Sequence, residues 1–274
     1  MTRYHVRIQA FQWPTRSRFD LRLGGPELDK HDACASLENG GFAVRISAVI
    51  PAHNEMNSIA DVVRSCKRYC DEVIVVDDGS TDETSEVSRA AGARVIRNEV
   101  NLGIVRATEI GLRNASGEVV VTLDADGQHD PSEIPRIVRP IILGDADLVL
   151  GTRAEIPSLS EQLIARLVSL RVECRDVGTG YRAFRRDLAQ QIRLGGFCLC
   201  GSLVLEAWRQ GARITEVPIR IRRRMFGKSH WAQPLSRGTT HIKQAILLLC
   251  QLPIGDTNTS QLSEKQAGVA GKGY

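Results

Sequence analysis

The stretch Glu118-Val119-Val120-Val121-Thr122-Leu123-Asp124-Ala125-Asp126-Gly127-Gln128-His129 decides the fold. Residues 119–123 are all β-branched or aliphatic, the composition of a strand buried on both faces. The run stops directly at two carboxylates one residue apart. Working outward, further short apolar runs lie at Val44–Ile50 (ended by Pro51), Glu72–Asp77, Arg94–Ile96 and Asp147–Leu150. Helical segments fall between them. Asn57 or Ser58 caps one running to about Tyr69, with Ile59, Val62, Val63 and Cys66 on one face. Ser80 or Thr81 caps a second, to about Ala91. A third spans about Gly103 to Asn114, Pro131 opens a fourth, and a fifth covers roughly Ser160 to Leu170. This alternation predicts an α/β fold with a mostly parallel central sheet and helices on both faces.

Around this core the chain divides into four parts. Residues 1–43 lack periodicity and read as an irregular extension. Residues 44–232 carry the catalytic pattern. Residues 233–255 contain an amphipathic helix with Ile242, Ala245, Ile246 and Leu249 on one side. That helix either packs on the domain or lies in a membrane plane. Residues 256–274 read as a disordered tail.

Bulk composition excludes several classes. Aromatics are 5%, too few for stacked-base recognition, and a net charge of +4 does not by itself argue for nucleic acid. The basic residues cluster instead at Arg213, Arg220, Arg222, Arg223, Arg224 and Lys228, a patch suited to phosphates or an anionic membrane surface. The seven cysteines form no CxxC pair. Cys198 and Cys200 are expected on opposite faces of a strand, so the cysteines read as reduced and buried in a cytoplasmic protein. The longest apolar run, Ala245–Cys250, is far short of the ~20 residues that span a bilayer.

In an open parallel sheet, ligands bind beyond the carboxyl ends of the strands. Three polar clusters fall there: Pro51-Ala52-His53-Asn54-Glu55, Asp77-Asp78-Gly79-Ser80 and Asp124–His129. A lone Asp after a strand is often only a helix cap. Asp124 and Asp126 are different, because two carboxylates at the end of a buried strand repel each other and resist desolvation. A hard cation resolves both problems, and Gln128 adds an amide oxygen, which suits Mg²⁺ or Mn²⁺ with phosphate completing the shell. No GxGxxG follows the first strand, so a dinucleotide-dependent dehydrogenase is excluded.

The order of these motifs resembles the inverting family-2 glycosyltransferases of GT-A (nucleotide-diphospho-sugar transferase) fold. Within that family it is most similar to dolichyl-phosphate mannose synthases and polyprenyl-phosphate glycosyltransferases. Asn101-Leu102-Gly103, Gly151-Thr152-Arg153, Asp176–Arg182 and Glu216-Val217-Pro218-Ile219 complete the pattern. The resemblance implies that Pro51, His53 and Glu55 line the nucleotide pocket. It implies that Val76 and Asp78 hold base and ribose, and that Ala125 touches the nucleotide. It assigns the Mg²⁺ or Mn²⁺ ion to Asp124, Asp126 and Gln128. Arg153 and Arg224 would face phosphates, and Arg222–His230 would form a basic loop closing over the donor, with Lys228 and His230 in its final positions. Asp176 would serve as a base, or would orient the acceptor or brace Arg153.

The implied activity is hexose transfer from a GDP-mannose or UDP-glucose type donor to a polyprenyl (dolichyl) phosphate, peripherally at the cytoplasmic membrane face or with a membrane-protein partner. Transfer to a saccharide hydroxyl, or donor binding without turnover, are the alternatives. Three departures bear on this. Val105 replaces a second glycine after Gly103. The loop ends Gly227-Lys228-Ser229-His230. The stretch between Arg153 and Asp176 is short, leaving Ser158 and Ser160 as candidates near an acceptor phosphate.

Overall fold

The computed structural model describes residues 44–156, 158–196, 198–224 and 240–246. The expected extension 1–43 and tail 256–274, with Lys228 and His230, lie outside the described residues. Of the expected C-terminal helix, 240–246 is described and is helical.

Strand β1 (Ile46–Ala52) pairs in parallel with β2 (Glu72–Asp78) and with β4 (Val119–Thr122), the middle strand of the sheet. β2 pairs in parallel with β3 (Arg94–Asn98). On the other side, β6 (Arg182–Arg185) runs antiparallel to both β4 and β5 (Leu148–Arg153), and β7 (Ile214–Ile219) is parallel to β5. The sheet order is β3-β2-β1-β4-β6-β5-β7. The sheet is therefore mostly parallel, with the single reversed strand β6 next to β4.

Alternate residues of a strand face opposite sides, and the two cores follow that rule. Val49, Ile74 and Val76 bury on one face, against α3 (Ile104–Asn114), α5 (Leu159–Ser169), α6 (Arg186–Gln191) and α7 (Ser202–Arg209). Ile50, Val75 and Val121 bury on the other, against α1 (Ile59–Cys66) and α4 (Ile134–Ile142), while Val87 of α2 (Thr84–Ala90) packs at the margin. Helix α3 crosses so close to the sheet that a Cβ on Gly111 would collide with the Val49 side chain. Helix 240–246 divides its residues: His241, Gln244 and Ala245 are buried, whereas Ile242 and Ile246 are exposed.

Two local expectations are corrected. Neither Ser80 nor Thr81 caps α2, whose N-cap is Glu83. The Ser80 hydroxyl instead accepts from the Asn54 amide (3.0 Å), and the Thr81 amide donates to Asn54 Oδ1 (2.8 Å). Cys198 and Cys200 are not on a strand, where residues two apart would in any case share a face; they lie in the turn before α7.

The start of β5 is locked by charge. Asp147 accepts a two-pronged bond from Arg213 (Nε and Nη2, both 2.9 Å) and a third contact from Arg185 Nη1 (2.5 Å). The Arg213 side-chain bonds, opposed by burial and aided by the Arg213 amide and the Arg185 charge, hold this carboxyl at about 2. Because the folded value lies below the unfolded one, the contribution is complete above about pH 4 and is lost as pH falls toward 2.

Two outcomes follow. Asp147→Asn should cost on the order of 1–2 kcal/mol at neutral pH, discounted for the half-exposed arginines, and should flatten the stability loss between pH 4 and 2 seen in urea titrations. Gly111→Val should cost about 1–3 kcal/mol by overpacking, measured as a lowered denaturation midpoint.

Candidate active site

The carboxyl ends of β1, β2 and β4 meet at one edge, and the three polar clusters come together there. Asn54 takes the left-handed conformation (φ 55°), which asparagine tolerates better than most residues. Its bonds to Ser80 and Thr81 tie the loop after β1 to the loop after β2. His53 Nδ1 lies 2.9 Å from the Asp78 carbonyl. The Asp78 carboxylate accepts from Asn98 Nδ2 (2.8 Å) and from the amides of Leu102 (2.9 Å) and Gly103 (2.7 Å), so it anchors the loop before α3. Val76 presents no side chain here, since it is fully buried in the core. Pro51 and Ala125 are also buried, so the site meets them at its floor.

Asp124 and Asp126 differ in environment. The Asp124 side chain is 45% exposed and that of Asp126 only 12%. Burial first, and then the Asp124 charge, push the Asp126 carboxyl above the usual range, while the Gln128 amide and Arg224 pull the other way. Asp126 Oδ1 accepts from the Gln128 amide (3.0 Å) and Oδ2 from Arg224 Nη1 (3.0 Å). Arg224 Nη2 reaches Glu55 Oε1 at 2.5 Å. One guanidinium therefore spans the clusters after β1 and β4. Gln128 donates its amide nitrogen to the Arg222 carbonyl (3.2 Å), which leaves its oxygen as a ligand. The all-oxygen set of two carboxylates and one amide fits Mg²⁺ or Mn²⁺.

Several supports were not singled out from sequence. His129 Nδ1 accepts from the Asp124 amide (3.1 Å), and its ring packs on Tyr181 with centroids 5.0 Å apart. The Tyr181 hydroxyl donates to the Asp130 carbonyl (2.9 Å). A Cβ on Gly180 would collide with the Asp124 carboxylate, so only glycine fits beside that ligand. His129 stood in the quoted run, but nothing in it signalled a supporting contact with a residue of the 178–182 segment.

Beside this edge lies a second charged cluster. Arg153 grips Asp176 with Nε (2.7 Å) and Nη2 (2.9 Å), and Nη2 also reaches Glu161 at 2.7 Å. Asp176 is 1% exposed. Burial raises its carboxyl, but the Arg153 bonds and charge, the Arg153 amide and the Gly178 amide outweigh it and hold the group below the usual range. Of the two roles left open, this geometry matches the brace on Arg153. An adjoining cavity of about 350 Å³ is lined by Arg153, Ile156, Ala165, Arg166, Arg175 and Asp176. Ser158 and Ser160 are engaged elsewhere: Ser158 caps α5 through the Glu161 amide (3.3 Å), and Ser160 bonds His241 Nδ1 (2.7 Å).

A mostly parallel α/β sheet that carries a carboxylate pair at the end of its central strand defines a GT-A glycosyltransferase domain. The chain belongs to glycosyl transferase family 2, whose model matches residues 47–202. It is 29% identical over 212 residues to the UDP-N-acetylglucosamine–dolichyl-phosphate N-acetylglucosaminyltransferase of Methanococcus voltae, covering 64% of this chain and 84% of that protein. It is 36% identical over 165 residues to the undecaprenyl-phosphate 4-deoxy-4-formamido-L-arabinose transferase of Pseudomonas aeruginosa, covering 53% of this chain and 48% of that protein. Among solved structures it resembles glucosyl-3-phosphoglycerate synthase from Mycobacterium tuberculosis in complex with Mn²⁺ and uridine-diphosphate-glucose. The TM-score is 0.66 at 26% identity, covering 85% of this chain and 86% of that one.

The two arginines should respond differently to truncation. Arg153→Ala strands two buried carboxylates and should cost about 3–5 kcal/mol in denaturant unfolding. Arg224→Ala leaves the less deeply buried Glu55 and Asp126, each 12% exposed, and should cost less, about 1–3 kcal/mol, but lower turnover about 10²-fold. Equal stability losses in the two variants would contradict this division.

Proposed function

We propose that this chain transfers a hexose from a nucleotide-diphosphate sugar, of the UDP-sugar type, to the phosphate of a polyprenyl carrier, with inversion at the anomeric carbon. The observation that carries the proposal is the juxtaposition of the Asp124–Asp126–Gln128 ligand set with Arg224, next to an arginine-lined cavity. Asp124, Asp126 and Gln128 would hold Mg²⁺ or Mn²⁺. That ion would supply Lewis-acid stabilisation of the departing diphosphate. Arg224, released from Glu55 and Asp126 as the cation takes over their charge, would add guanidinium bonds to the same phosphates. Pro51, His53, Glu55 and Ala125 would form the nucleotide pocket, with Asp78 acting through the loop that it anchors.

On the acceptor side, Arg153, Arg166 and Arg175 suit an anionic group, and Ile156 and Ala165 add apolar wall. A phosphate monoester needs no strong base, because its second ionisation lies near ~6. That matches an Asp176 held in its ionised form by Arg153. The M. voltae and P. aeruginosa relatives are named for polyprenyl-phosphate acceptors. No helix among the described residues is long and apolar enough to cross a membrane. Contact with the carrier would be peripheral, with the exposed Ile242 and Ile246 as its apolar element.

A second acceptor class is favoured by one finding. The M. tuberculosis synthase is also seen in complex with phosphoglyceric acid, at TM-score 0.66 and 25% identity over 85% of this chain. A small phosphorylated acid would suit the same arginines.

A donor screen tests the proposal. UDP-glucose, UDP-N-acetylglucosamine and GDP-mannose are each supplied with Mn²⁺ and either a short polyprenyl phosphate or 3-phosphoglycerate. Product should form with a UDP-sugar and the polyprenyl phosphate. Product with 3-phosphoglycerate alone would move the acceptor to the second class. Asp126→Ala should lower ion-dependent release of nucleotide at least about 10²-fold; full activity would remove the cation from this site.

A further inference from the structure

Away from the carboxylate edge, the turn before α7 and helix 240–246 bring Cys198, Cys200 and His241 together. One ligand atom from each lies within 4.8 Å of the other two. Cys198 and His241 are buried and Cys200 is half-buried. None of the three touches the proposed donor site. We propose that these residues form a binding site for a soft d¹⁰ metal cation, in a shell of two thiolates and one imidazole.

Four features support it. The separation of Cys200 Sγ and His241 Nε2 is 3.9 Å. An ion with bonds of about 2.3 Å to sulfur and about 2.0 Å to nitrogen needs edges of roughly 3.5–4 Å, so little movement closes the shell. Second, His241 Nδ1 lies 2.7 Å from the Ser160 hydroxyl. A metal-ligating histidine commonly gives its other ring N–H to such a partner, which fixes the tautomer and leaves Nε2 as the ligand. Third, the Cys200 amide donates to Cys198 Sγ (3.3 Å), so the turn itself holds that sulfur beside the cluster.

The fourth feature is charge. Arg182 on β6 is 1% exposed, and among the described residues it donates to the carbonyls of Val177 (2.9 Å) and Leu199 (3.4 Å). Its Nε has no partner among the described residues, and no carboxylate there pairs with it. A buried guanidinium requires compensation. Leu199 sits between the two cysteines, so thiolates there would join the charges of Asp124 and Asp176 in compensating Arg182. Two thiolates with a monovalent ion leave one negative charge for Arg182. With a divalent ion the thiolates are already neutralised and add nothing to that compensation. Thiolate ligands select both Cu⁺ and Zn²⁺, and this balance favours Cu⁺. Binding displaces the remaining thiol protons to solvent and changes no oxidation state. The ion would staple helix 240–246 to the amino ends of α5 and α7.

The test uses the full chain, reduced and stripped with chelator. One aliquot is titrated with Cu⁺ held by a chromophoric Cu⁺ chelator, and another with Zn²⁺ against a chromophoric zinc indicator. One equivalent of Cu⁺ should pass to the wild type. It should be lost in Cys198→Ser and Cys200→Ser, and retained in Cys70→Ser and Asp126→Asn. One equivalent of Zn²⁺ with the same pattern supports the site and reverses the charge preference. Uptake no greater than that of the Cys198→Ser/Cys200→Ser double variant overturns it. X-ray absorption on the loaded wild type needs no variant to fold. It should show sulfur and nitrogen neighbours, and a shell of oxygen alone overturns the site.

Discussion

A desolvated carboxylate must find a positive partner, and the architecture at the carboxyl edge of this sheet follows from that requirement. Asp126 sits at the end of a strand whose other residues are fully buried, with a second carboxylate two positions away. Its proton affinity rises because neither water nor a fixed countercharge fully compensates it. Arg224 supplies part of the compensation and ties Asp126 to Glu55. The guanidinium of Arg224 holds these two carboxylates together at the carboxyl edge of the sheet.

The contrast with Asp176 is instructive. Both carboxylates are largely hidden, yet they titrate in opposite directions. Asp176 meets a two-pronged guanidinium and two backbone amides, all close and well aligned. Asp126 meets one amide and one arm of an arginine that it shares with Glu55. Burial acts the same way on both, so the sign is decided by the donors and by the like charge of Asp124, which only Asp126 feels. Asp176 is therefore held by several close donors and Asp126 by few.

The reversed strand β6 links these two regions. It pairs with β4, which ends in the Asp124–Asp126 pair, and with β5, which ends in Arg153. The segment entering β6 supplies Gly180 beside Asp124 and Tyr181 beneath His129. One short strand thereby ties the Asp124–Asp126 pair to the Arg153 cluster, and Arg182 on the same strand reaches the Leu199 carbonyl between Cys198 and Cys200.

Much of the fold was legible along the chain. Five apolar runs became strands β1 to β5, because a strand buried on both faces needs a continuous hydrophobic run, a local property. The clusters at residues 51–55, 77–80 and 124–129 could be assigned to one edge because parallel topology places successive strand ends together. Local pattern could not decide which polar atoms pair across loops. Ser80 and Thr81 read as helix caps, yet Asn54 claims both. Asp176 read as a base, or as a group that orients the acceptor or braces Arg153, and local pattern did not show that Arg153 bonds it through two nitrogens. Cys198 and Cys200 read as separate faces of a strand, and a histidine about forty residues on becomes their neighbour only through the packing of helix 240–246. The sequence by itself therefore determined strands β1 to β5, the helices between them and the carboxylate pair at the end of β4. The tertiary structure alone decided which charge each carboxylate meets, because such pairing depends on distances of about 3 Å between residues remote in the chain.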